Sequence, residues 1–169
     1  MTDTDKLIFE MMEFDKTDPA RIQHLMKVYE YAHLIGIGEE LSEKEMHVLE
    51  AAAVLHDIGI IPCEKKYGYC NGKMQEEEGP AYARVILERN GYSKEDTERI
   101  CYLIGHHHTY SNIDGVDYRI LVEADFLVNA FEENMKDEVI RNVAEKIFRT
   151  KTGRSLMCLN FGIYVPDCV

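Results

Sequence analysis

None of the five cysteines, Cys63, Cys70, Cys101, Cys158 and Cys168, stands in a C-x-x-C pair, and their number is odd. Both facts argue against a disulfide framework and against a cysteine-rich zinc site, and a reducing cytoplasm is the expected location. No run of about 18 apolar residues occurs, so no membrane span is expected. Met1 to Glu10 lacks a basic segment followed by an apolar one, so no signal peptide is expected. Basic residues are in short supply: 19 Lys and Arg stand against 31 Asp and Glu, a formal net charge of −12. That charge repels a polyanion at long range and argues against binding a nucleic-acid polymer. A small anionic substrate stays open, because a bound cation reverses the local field. Strand-type alternation is scarce, and there are no repeats, low-complexity tracts or linkers. A P-loop, a dinucleotide fingerprint and a Ser-His-Asp elbow are also missing.

What remains is 169 residues with 46% hydrophobic and 30% charged side chains. That is an ordinary globular balance and a length suited to one domain. Helical periodicity dominates. A first strong helix is expected from about Asp18 to Ile35, with Asp18 as N-cap and Pro19 at the first helical position. A second opens at Ser42, whose partner Glu45 completes a capping box, and runs to His56, where Gly59 and Pro62 stop it. Cys63 to Met74 reads as a loop. A third helix is expected from about Glu76 to Arg89, and a fourth from Ser93 that carries Ile100, Leu103, Ile104 and His107 on one face. A fifth carries Ile120, Ala124, Leu127, Val128 and Phe131, and a sixth covers about Asp137 to Phe148. From Thr150 the tail is glycine-interrupted and mixed. The expected class is an all-α, single-domain bundle over 1–169, with its core at about 18–134 and a C-terminal helix and tail over 135–169.

The sharpest chemical feature is His56-Asp57. Met46, Leu49, Ala53 and His56 fall on one helical stripe, which turns His56 inward, and Ala51 to Leu55 are all apolar. Asp57 follows at a helix end. A buried carboxylate costs several kcal/mol unless it is paired or bound to metal. The competing interpretation is a satisfied core histidine beside a surface aspartate. His24 lies beside the apolar stripe of the first helix and Asp125 leans inward between Leu121 and Val128. Each taken alone fits a boundary histidine and a hydrogen-bonded aspartate.

The order of these residues says more. The segments "ARIQHLMKVYEYA", "AAAVLHDIGI" and "LVEADFLVNA" resemble the H…HD…D segments of the HD superfamily, and "GPAYARVILERNGY" resembles the helix that follows the HD loop. The resemblance covers roughly Asp18 to Phe131. It implies an HD-type helical bundle with one divalent ion between its central helices, held by His24, His56, Asp57 and Asp125. Manganese, iron, cobalt, nickel, zinc and magnesium all suit such N/O ligands. The implied activity is metal-dependent phosphohydrolysis of a small phosphorylated metabolite or nucleotide, with Asp57 assisting proton movement.

Three histidines, His106, His107 and His108, end the fourth helix. The resemblance makes His107 and His106 candidates for a second metal or for the substrate, while His108 is expected to point away. Arg21 precedes His24 by almost one turn and is a candidate for phosphate contact. Lys65, Lys66 and Lys73 sit on the loop after the motif, where the bland reading is solvated charge. Two departures from the family pattern stand out. Two-metal relatives place a histidine where this chain has Gln75 to Glu78, so a di-iron oxygenase would need another ligand there, such as Glu78. Ile60 replaces the lysine that many relatives carry after the HD-x-G. A non-catalytic nucleotide- or ligand-binding module is the remaining alternative. A homodimer is compatible with the acidic helical surface.

Overall fold

The computed structural model describes residues 1–163, and over them the chain forms nine helices and no strand. They are α1 (Asp3–Phe14), α2 (Pro19–Gly38), α3 (Glu43–Leu55), α4 (Ile60–Tyr67), α5 (Gly72–Arg89), α6 (Lys94–Ile104), α7 (Val116–Glu132), α8 (Asp137–Ile147) and α9 (Lys151–Phe161). The all-α bundle expected from the periodicity is what the chain adopts.

Side-chain caps set the helix starts. The Asp18 carboxylate accepts from Arg21 N at the head of α2, with Pro19 at its first position, where a missing N–H costs nothing. Ser42 and Glu45 close the expected capping box of α3. Ser93 caps α6 by accepting from Asp96 N.

α3 is the central element. Val48, Leu49 and the run Ala51 to Leu55 are all buried, because α1, α2, α6 and α7 each pack on it. Three consecutive alanines keep this helix thin, so its neighbours approach closely. α2 packs most extensively on α3 and α7, and α5 pairs with α6. By hydropathy alone, an 18-residue stretch within Glu43–Tyr67, with mean hydropathy 1.3, is apolar enough to cross a membrane, but 67% of that stretch is buried inside the fold. Its apolar character belongs to a core helix.

Four regions differ from the sequence reading. α1 was not anticipated; Thr2 and Asp5 form its capping box, and Leu7, Ile8 and Met11 bury its inner face. α4 takes in Cys63 to Tyr67 of the segment read as a loop, and α5 takes in its last three residues. Pro62 falls in its first turn, where backbone N–H groups have no helical partner, so the proline does not break it. α5 starts at Gly72, capped by Asn71, four residues before the expected Glu76. The mixed tail contains α9, capped by Thr150. Cys63, Cys70 and Cys101 are free thiols, while Cys158 is disulfide-bonded, an exception to the expectation of reduced cysteines.

Candidate metal centre

Four elements bring the chemistry together. α2 supplies His24. α3 ends on His56, whose φ of −54° and ψ of −38° keep it helical, and Asp57 follows in the turn into α4. α7 supplies Asp125 from a stretch buried over Ile120 to Val128. The turn after α6 supplies His107 and His108, since α6 itself stops at Ile104, earlier than the sequence suggests. That turn is braced by Tyr118, which is 1% exposed and directs its hydroxyl at the carbonyls of His106 and Thr109.

Hydrogen bonds at the far side of each ring fix which nitrogen faces the cluster. His56 Nδ1 donates to Ala53 O at 2.8 Å, and His107 Nδ1 donates to Ile104 O at 2.8 Å. A carbonyl only accepts, so the neutral form of each ring carries its proton on Nδ1 and presents Nε2 as a lone pair. His24 Nδ1 stands 2.8 Å from the Glu132 carboxylate, which imposes the same tautomer. The Nε2 atoms of His24 and His56 converge, while that of His107 meets the other carboxylate oxygen of Asp57 and belongs to a second group. His24 Nε2 lies 3.2 Å from His56 Nε2, 3.3 Å from Asp125 Oδ1 and 3.5 Å from Asp57 Oδ2. His56 Nε2 lies 3.5 Å from Asp57 Oδ2 and 3.6 Å from Asp125 Oδ1. His107 Nε2 lies 3.6 Å from Asp57 Oδ1, fully buried and with no hydrogen-bond partner.

The electrostatics follow from this crowding. Burial pushes the Asp57 and Asp125 carboxyls up, but the neighbouring imidazoles outweigh it and hold both well below the usual carboxylate range. Burial pushes the His56 imidazole down, yet Asp57 and Asp125 raise it to about 9. His24 is raised in the same way, against its own burial, chiefly by Asp125. One buried and one half-buried anion therefore demand positive charge between the rings, supplied by protons or by a cation. Converging imidazole lone pairs, ionised carboxylates and an orphaned buried Nε2 fit a divalent ion. The cluster opens to solvent at Asp57, whose side chain is 27% exposed, against 1% for His56, 3% for Asp125 and 0% for His107.

His24, His56 and Asp57 thus meet as the motif order suggested, and Asp125 lies against both histidines. His108, expected to point away, instead groups with Asp57 and His107. Its Nε2 meets Gln75 Oε1 at 2.9 Å, and burial beside His107 lowers it to about 4, so it is neutral. His106 is not in either group. It stacks on Tyr102 and donates from Nδ1 to Tyr102 O. Glu78, the carboxylate weighed in place of a missing histidine, is bonded to Lys66 at 2.6 Å and to Tyr67. Arg21 is held at the head of α2 by Glu64 at 2.6 Å and Asp18 at 3.3 Å. Near it Asp15 is buried, and that burial raises its carboxyl to about 6.

The sequence reading passed over Asn129 and Glu132. Asn129 Nδ2 donates to Asp125 Oδ1 at 2.9 Å, and Glu132 accepts from His24 and from Lys27 Nζ, the latter at 2.5 Å. Asp125, Asn129 and Glu132 follow at i, i+4 and i+7, a polar stripe on the otherwise apolar second half of α7, and that spacing was the available signal. A cavity of ≈ 860 Å³ lies away from this centre, further along α2 and earlier in α3, lined by Tyr29, His33, Met46, His47 and Glu50 among others.

No curated protein and no solved structure matches the chain. The family model described as HD domain matches residues 21–149, which take in the motif histidines, the aspartates and the stripe on α7. That match covers most of the sequence, and the chain belongs to the HD-domain family.

Proposed function

We propose that the protein is a metal-dependent phosphohydrolase acting on a small phosphorylated metabolite or nucleotide. The observation that carries the reading is the convergence of the His24 and His56 Nε2 atoms on the ionised carboxylates of Asp57 and Asp125, with His107 Nε2 buried and unpartnered beside Asp57. His24, His56, Asp57 and Asp125 would hold the ion. Bound there, a divalent ion supplies Lewis acidity, which makes a water nucleophilic at neutral pH and polarises a phosphoryl oxygen. Asp57 is the ligand that reaches solvent, so its carboxylate faces the incoming substrate and can take a proton on that side. His107 turns its unpartnered Nε2 toward Asp57 Oδ1, where it is placed to meet a second ion or the substrate. Arg21 sits preorganised by Glu64 and Asp18, and exchanges one of these for a substrate phosphate. The acidic surface is consistent with a small substrate in place of a nucleic-acid polymer.

The test is a phosphatase screen of the metal-loaded protein against a broad panel of phosphomonoesters and nucleotides. Phosphate release that disappears in Asp57→Ala is expected. No release from any substrate removes the reading and leaves a ligand-binding module. Arg21→Ala should raise KM by roughly tenfold or more with metal content unchanged.

A second reading rests on the group Asp57, His107 and His108, which shares Asp57 with the first and offers a second cation position. It supports two-metal chemistry, including a di-iron oxygenase. Two irons per chain would favour it.

A further inference from the structure

The chain of contacts Lys27, Glu132, His24 joins the outer surface to the centre of the site. Glu132 is the last residue of α7, one stripe with Asp125 and Asn129. Its Oε2 faces His24 Nδ1 at 2.8 Å, and its Oε1 faces Lys27 Nζ at 2.5 Å. Both carboxylate oxygens are therefore spoken for, one by each neighbour. Lys27 also lies over the Phe131 ring at 5.7 Å, which fixes the ammonium where Glu132 needs it. Unlike His56 and His107, whose Nδ1 is held by a carbonyl one turn back, His24 has a carboxylate from another helix as its Nδ1 acceptor.

That difference has a chemical consequence. An imidazole can present Nε2 as a lone pair only if its proton stays on Nδ1. A charged acceptor at Nδ1 holds the proton there and makes Nε2 more basic than a carbonyl does. We propose that Glu132 is a positioning residue for the metal centre: it locks His24 in the tautomer and rotamer that aim Nε2 at Asp57 and Asp125, and Lys27 holds Glu132 in place. The proposal rests on the reading of His24 as a ligand. It explains why α7 carries three polar residues on one face, the first in the cluster and the other two supporting it.

The experiment uses zinc-loaded protein and a chromogenic chelator, and reads the zinc dissociation constant without any activity assay. Wild type, Glu132→Ala, Glu132→Gln and Lys27→Met are compared, with circular dichroism as the check on folding. Glu132→Ala should bind zinc roughly 10–100-fold more weakly. Glu132→Gln still accepts from Nδ1 through its amide oxygen, so it should lose only a few-fold. Nitrogen-15 NMR of the histidine side chains should show the His24 Nδ1 proton in wild type and its loss by exchange in Glu132→Ala. A purely structural salt bridge would lower stability in these variants and leave both readings unmoved. Zinc held by Glu132→Ala as tightly as by wild type overturns the proposal. If that variant does not fold, Glu132→Gln decides: zinc bound a few-fold more weakly supports the proposal, and zinc bound as tightly as by wild type overturns it. Wild type that holds no zinc overturns the ligand reading itself, and is told apart because the loss does not depend on Glu132.

Discussion

The Nε2 atoms of His24 and His56 face each other across 3.2 Å, and neither ring offers a proton to that contact in its neutral form. Each has its Nδ1 proton engaged elsewhere, by Glu132 and by Ala53 O. Two lone pairs so close are repulsive unless something positive lies between them and the carboxylates of Asp57 and Asp125. A proton and a metal ion compete for that place.

The competition sets a pH dependence. In metal-free protein His56 titrates at about 9, above its ordinary 6.5. A raised histidine stabilises the fold fully below pH 6.5, and that contribution is lost as pH rises through about 9. The denaturation midpoint of chelator-treated protein should therefore fall between these values. Metal-loaded protein should lack this fall, and the stabilisation by metal should grow with pH. Chemical denaturation at several pH values, with and without zinc, checks both.

A second prediction concerns Glu123, which is 0% exposed on α7 and has no part in the metal cluster. It accepts from Arg149 N, Thr150 N and the Thr150 hydroxyl, and so ties the head of α9 to the core. Glu123→Ala strands these donors and should cost about 2–4 kcal/mol of stability. Gly153→Ala puts a methyl group against the same carboxylate and should destabilise as well. Zinc affinity should be unchanged in both, as measured by chelator competition beside thermal melting.

The glycine of the motif has its own role. A Cβ on Gly59 would come within 2.9 Å of Gln75 O and 3.0 Å of Gly79 N, which are backbone atoms of α5 and cannot swing aside. Gly59→Ala should force α4 and α5 apart at a cost of about 1–3 kcal/mol. Because Gly59 follows His56-Asp57 by two residues, metal affinity should fall too. Melting and chelator competition together separate this variant from Glu123→Ala.

The legible parts of the sequence were those where one residue type serves one purpose. Asp18, Ser42 and Ser93 announced their helices because a cap needs a short polar acceptor at one position. The order of His24, His56-Asp57 and Asp125 carried the centre and the HD-domain family. α4 was missed because Gly59 and Pro62 are breakers in general but harmless in a first turn. His108 was missed because helical periodicity was carried past Ile104, where the chain leaves the helix and turns its rings by another rule. Glu132 was passed over because its stripe with Asp125 and Asn129 places it on a face without naming its partner, which lies 108 residues away on α2.

The most direct test is metal content by elemental analysis of protein purified without chelator, wild type beside Asp57→Ala. The account predicts about one divalent ion per wild-type chain and little or none in the variant. No metal in wild type, even after reconstitution with manganese, cobalt and zinc, would contradict it.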